Sequence, residues 1–335
     1  MKVRKYIKSL TTLSLITIFL LSNTLFCFAD SSKVLTLGEN LNDKQKSKVL
    51  QYLGVSEDNI DIILVNNKDE RKYLEGVATE EQIGHRTLSC AYIEPTEEGG
   101  VNVKIANLDW VTADMISSTL ITSGVENANV IAVAPFTVSG TGALTGCFKA
   151  FEKATGKQLD EEKKEIATEE LVITGDLGEK IGQEKATGVV NDIKKEVIKE
   201  NVSESEKINK VIDEVAAKYE VSLTPEQKTS LANMMLKVSN QNYDYSKIED
   251  SLNKVTTNVN QVLNKVSTEF EKSGLWDSIK AFFSGLFSKD NNENNLGILN
   301  STNDNALGDN AKVDSTENNI DNNETFLDKV KNIFK

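Results

Sequence analysis

The chain is short of the residues that hydrolases, metalloproteins and disulfide scaffolds depend on. Its 335 residues hold one histidine, three cysteines, three prolines and two tryptophans. With a single imidazole, any Ser-His-Asp or Cys-His site has to be built on His85. That residue stands in "IGHRTLSCAY" beside Arg86, ahead of a strand-like run, and Ser89 or Cys90 would reach it only through folding. An exposed loop histidine is the plainer reading. Zinc lacks its usual ligands, no Cys-x-x-Cys motif exists, and the spacing of an EF-hand loop is absent, so no metal and no cofactor are expected. Paired carboxylates stay open among 51 acidic residues, because composition does not say which of them meet.

Positive charge is scarce as well. Lysine and arginine total 38 against 51 aspartates and glutamates, a net −13, and no basic patch carries interleaved aromatics. Such a surface repels phosphate backbones, which excludes nucleic-acid binding. The exception is the first stretch, residues 1–29. Lys2, Arg4, Lys5 and Lys8 precede an apolar run from Leu10 to Leu21, and Cys27-Phe28-Ala29 offers small residues at −3 and −1. This is the layout of a secretory signal, with cleavage expected after Ala29. A lipidated Cys27 is disfavoured by the bulky Phe26; retention as an N-terminal anchor is the other reading. Removal leaves 34 basic against 51 acidic residues, net −17. Cys90 and Cys147 then remain, and export makes a disulfide between them chemically open, against two buried thiols packed as small apolar groups.

The body alternates. "KVLTLG" reads as a strand and "NLNDKQKSKVLQYLGV" as a helix with Asn42 as cap, Gln45 three residues on and Gly54 at its end. Ile60–Val65 reads as a strand and 68–81 as an exposed stretch with a short helix. "TLSCAYIEP" and "GVNVKIANL", joined by "TEEGG", predict a hairpin. A helix capped by Thr112 and ended by Gly124 follows, with Met115, Ile116, Leu120 and Ile121 on one side. Asn129–Ala134 gives a further strand, stopping at Pro135. The order implies an α/β domain over 33–150 with a mixed sheet. Helices are expected beyond it over Ala143–Thr155, Asp160–Thr174, Glu179–Glu200, Glu204–Tyr219 and Thr224–Asn240, so that 151–240 is helical. A last long helix, Tyr245–Lys272, carries Leu252, Val255, Val259, Val262, Val266 and Phe270 at alternating three- and four-residue steps. From 289 to 325 the composition turns to Asn, Asp, Glu and Ser, which predicts a disordered linker. The fold class expected is α+β: an N-terminal α/β domain, a helical region and a disordered tail.

One loop invites a ligand. In "VIAVAPFTVSGTGALTG" a strand leads into Gly140, Gly142 and Gly146 and then into a helix. A P-loop would end in Gly-Lys-Ser/Thr, whereas Gly146 is followed by Cys147, Phe148 and a displaced Lys149; the dinucleotide spacing is also one residue off. An anion at the helix N-terminus, held with Ser139, Gly140, Thr141, Gly142 and Thr145, is the weaker surviving reading. The competing one is a tight turn that packs helix on sheet.

The run "NLDWVTADMISSTLITSGVENANVIAVAPFTVSGTGALTGCFKAFEKATGKQL", with "EELVITGDLGEKIG", "TLGENLNDKQKSKVLQYLGV" and "SLTPEQKTSLANMMLKVS", resembles the DUF1002 family, the YpuA-like exported proteins of Gram-positive bacteria. The resemblance spans roughly Val34–Ser239. It implies export, but the family label assigns no activity and so no catalytic residues. Cys147 and His85 stand where an aliphatic and a small polar residue are expected from it.

Two segments outside that region echo one another. "LWDSIKAFF" and "FLDKVKNIF" both place aromatics at helical spacing, in amphipathic elements within 241–288 and over 326–335. Trp276, Phe282, Phe283 and Phe287 in the first, and Phe326 and Phe334 in the second, suit docking on a membrane interface or an apolar partner groove. The plainer reading packs the first on the helical body and leaves the second as a frayed tail. The function expected is that of a secreted, cell-envelope-associated binding or interaction protein, more readily than an enzyme. Its partner would be an envelope component or protein, with peripheral membrane contact through the C-terminal helix. The alternative is an envelope hydrolase using acids near 139–146.

Overall fold

The computed structural model describes residues 33–272, 297–308 and 310–316. The helix starting after Asn42 forms as its signals dictate: α1 (Asp43–Leu53) has a complete capping box between Asn42 and Gln45, and Gly54 closes it in the left-handed region. It joins β1 (Val34–Gly38) to β2 (Asp61–Val65). The stretch 68–81, read as exposed with a short helix, takes part in two capped helices, α2 (Asn67–Leu74) and the short α3 (Glu80–Ile83), and is not exposed throughout: Glu70, Tyr73 and Leu74 are buried, as is Ile83 just beyond it. Residues 70, 73 and 74 share one helical face, which points inward.

The hairpin does not form. β3 (Cys90–Pro95) and β4 (Val101–Leu108) flank β5 (Ala128–Val138), which pairs antiparallel with the first and parallel with the second. Sheet order is β2-β1-β3-β5-β4-β6. The reason lies in β5, whose run Val130–Ala134 is fully buried on both faces and therefore suits a central strand. Asn127, just before it, holds the intended turn open: its carbonyl accepts from the Thr96 N–H and its Oδ1 from the Gly100 N–H. β5 also runs on through Pro135, past the last residue paired with β3 and opposite a bulge between Ala106 and Leu108 of β4. A proline is tolerated where no ladder partner is lost.

Both faces of the sheet are covered. On one, α4 (Ala113–Thr122) and α5 (Ala143–Thr155) lie against the strands. Beyond them pack α6 (Glu161–Ile181), α7 (Gln183–Lys199), α8 (Ser205–Lys218), α9 (Pro225–Ser239) and α10 (Tyr245–Lys272), in one continuous apolar core with the sheet. Every residue of α4 is buried, because sheet and helices enclose it. In the heptad-like stripe, Leu252, Val255 and Val259 are buried. The opposite face is covered by α1 and, unexpectedly, by the Asn/Asp-rich segment. Where composition predicted a disordered linker, residues 297–308 and 310–316 contribute two 3-10 turns (Gly297–Asn300 and Asp304–Leu307) and β6 (Val313–Ser315) on the β4 edge. Leu299, Leu307 and Val313 enter the second core beside Tyr52, Tyr92 and Ile131. Three apolar side chains in a polar run suffice once a preformed face receives them.

Candidate functional site

The glycine loop lies where β5 meets α5, enclosed by α2 and α3. Gly140 adopts φ 91, open to glycine at little cost, and a Cβ there would come within 2.7 Å of Val111. The Ser139 carbonyl accepts from the N–H groups of Trp110 and Val111, which fixes the strand-to-loop turn. Thr141 is buried, and its hydroxyl donates to the Gln82 carbonyl at 2.8 Å. Thr145 is also buried. Gly146 lets α5 approach closely: a Cβ there would lie 2.7 Å from Thr36 Oγ1 of β1.

The decisive neighbour is Glu70, only 3% exposed. Its carboxylate fills the space beside Gly142, so close that a Cβ at that position would collide with Oε1. An acid of the chain thus stands at the first turn of α5, where an incoming anion was expected, and the helix N-terminus favours negative charge there. Burial nevertheless pushes the Glu70 carboxyl up to about 7, outweighing the opposing pull of Thr87 and Asn67. Lys149 takes no part in the loop; its ammonium pairs with Asp69 at 2.8 Å.

The remaining sequence candidates are scattered. His85 is exposed, whereas Ser89 and Cys90 are buried. Cys90 and Cys147 are free thiols in different cores, on opposite faces of the sheet, so the disulfide reading is not the arrangement found. Burial raises both thiols to about 12, which suppresses the thiolate. Trp276, Phe282, Phe283, Phe287, Phe326 and Phe334 lie outside the described residues. Among the described residues no helix is long and apolar enough to cross a membrane, and no group of three or more His, Cys, Asp or Glu could hold a metal ion.

Two polar constellations escaped the sequence reading. Between α4, α6 and α7 the Lys194 ammonium, fully buried, lies 2.8 Å from Glu170 Oε1 and donates also to Ser118 and Thr122. Burial lowers the Lys194 pKa, with Glu170 acting against that shift. The second is the grip on residues 310–316 described below. A serine and a threonine four apart in "SSTLIT" were the only local signal for the first, and an alternating "AKVDST" for the second.

Together these features define an α+β protein with a mixed sheet, a helical layer on one face and a glycine loop occupied by its own carboxylate. The chain belongs to the DUF1002 family: the family model described as "Protein of unknown function (DUF1002)" matches residues 37–255. It is 37% identical over 232 residues to the "Uncharacterized protein YpuA" of Bacillus subtilis (strain 168), covering 69% of this chain and 80% of that one. No solved structure matches it.

Proposed function

We propose that the protein is exported and acts at the cell envelope by binding rather than by catalysis, with its C-terminal amphipathic segment as a docking element. The observation that carries this reading is the pinning of the chain at Thr316. Its carbonyl accepts from Asn258, and its hydroxyl from the Val103 N–H, both on the body of the fold. Phe326 follows ten residues later, so while β6 is seated the docking segment begins within about 35 Å of that point. That segment is locally basic, with Lys329, Lys331 and Lys335 against Asp328, on an otherwise acidic chain. An apolar face next to lysines suits an anionic membrane surface. The N-terminal basic and apolar runs support export. Co-sedimentation of the mature chain with anionic vesicles tests the reading. Deleting 326–335 is expected to abolish pelleting, and equal pelleting of both forms would remove the docking role.

The hydrolase reading has one observation in its favour, the Glu70 carboxyl raised to about 7 beside the loop, as a general acid requires. Its sealing under Gly142 argues for a structural task instead. Turnover of wall polymer lost in Glu70→Gln would reverse that preference.

A further inference from the structure

The β4 edge is covered by chain that arrives from far away in sequence. β6 lies antiparallel on it, with Lys104 opposite Ser315, Ile105 opposite Asp314 and Ala106 opposite Val313. The edge offers more than a ladder. Asn107, 3% exposed and at φ 58, grips Lys312 at two points: its N–H donates to the Lys312 carbonyl at 2.6 Å, and its Oδ1 accepts from the Lys312 N–H at 3.0 Å. Its amide nitrogen is anchored on the Ala134 carbonyl, which sets the side chain for that task. At the other end, Asn258 Nδ2 donates to the Thr316 carbonyl at 2.9 Å while the Val103 N–H donates to Thr316 Oγ1 at 2.8 Å. Between these clamps Asp314 Oδ2 accepts from the Ala113 N–H at 3.0 Å, at the first turn of α4. Val313 points the other way, into the second core.

Each contact reads a feature of a peptide. Two buried amide side chains take main-chain groups of the segment, a helix N-terminus takes a carboxylate, and an apolar core takes a branched side chain. Recognition of an extended strand at a sheet edge, with alternate side chains in pockets, is a known binding mode. Of the walls, Val103–Asn107 and Ala113 fall inside the family-matched region 37–255, whereas the Asn258 clamp and the segment they hold lie outside it. Twenty-four residues, 273–296, separate Lys272 from Gly297. At about 3.3–3.6 Å per extended residue, that connection is long enough to serve a neighbouring molecule.

We propose that the β4 edge is a strand-binding site for an extended peptide of the pattern Val-Asp-Ser-Thr. Residues 310–316 are its resident ligand, and a second copy of this chain can supply the same segment in trans. The resident segment lowers the apparent affinity for an incoming one, because only the vacated fraction is competent. The full chain carrying Val313→Asp and Asp314→Lys vacates the edge in cis. A fluorescent peptide of residues 304–316 is then expected to bind it about tenfold or more tightly than it binds the unaltered chain. The same peptide with Asp314→Ala and Thr316→Ala is expected to lose that gain. No binding of the unaltered peptide to the folded variant, checked by circular dichroism, would overturn the proposal. Hydrogen exchange on the unaltered chain provides an independent reading. The amides of Val103, Asn107 and Thr316 are expected to exchange by a local opening while those of Ile131 and Val133 stay protected. Exchange of both sets only in global unfolding would refute a detachable strand.

Discussion

At the scale of single residues, Glu70 shows how a buried acid ties stability to pH. Its carboxyl titrates near 4.5 when unfolded and at about 7 in the fold. Below pH 4.5 both states hold the proton, and this group adds no pH dependence. Between about 4.5 and 7 the unfolded chain releases its proton while the folded chain keeps it, so stability falls as pH rises. The loss over that window is roughly 3 kcal/mol, and it levels off above 7. Glu70→Gln is therefore expected to flatten this slope, gaining on the natural chain as pH rises from 5 to 8. Urea midpoints across that range measure it, and parallel curves for the two proteins would show that Glu70 is not the group responsible. None of this was readable from "NNKDERKYLEGV", where a glutamate among charged neighbours looks solvated. The tertiary approach of Gly142 and Thr87 encloses it.

At the scale of elements, α4, α6 and α7 meet around a buried ion pair. Lys194 is 0% and Glu170 1% exposed at the side chain, with the ammonium surrounded by Ser118 and Thr122. Removing one partner strands the other charge without water. Lys194→Met is thus expected to cost about 3–5 kcal/mol, and the pair Lys194→Met with Glu170→Leu to recover most of it. Chemical denaturation of the two variants checks the coupling; equal losses in the single and the double would contradict it. The helices themselves were legible, because caps and period are local. Thr224, Pro225 and Gln227 start α9 where expected, with a complete capping box. α6, by contrast, runs to Ile181 instead of ending near Thr174, and α7 begins only at Gln183. Gly175 and Gly178 look like breaks in the sequence, yet they receive the Trp110 ring and the Gln183 side chain at contacts too close for a Cβ. Packing overrode propensity there.

At the scale of the whole molecule, the sheet divides two cores, and of the chain's three cysteines the two among the described residues belong one to each. Cys90 faces the core under α1, and Cys147 faces the core shared with the helices. A thiol reagent, used without reductant, is expected to label neither in the native protein and both in denaturant. Denatured protein in which Cys90 and Cys147 stay unlabelled until reduced would mean that they are bridged and that this sheet is not the native one. The same division explains why Leu299, Leu307 and Val313 are held on the sheet. α1 covers only part of its face of the sheet, and Leu299, Leu307 and Val313 complete that core.

The sequence by itself determined most of the capped helices, the positions of the first five strands, the acidic charge and the family, since each rests on residues close together in the chain. Strand order was decided only in three dimensions: β3 and β4 look like neighbours until the doubly apolar β5 enters between them to bury both of its faces. Tertiary structure likewise decided that a polar segment becomes the sixth strand. Its hydrogen-bonding partners, Val103, Asn107, Ala113 and Asn258, are distant in sequence, and no local pattern could specify them.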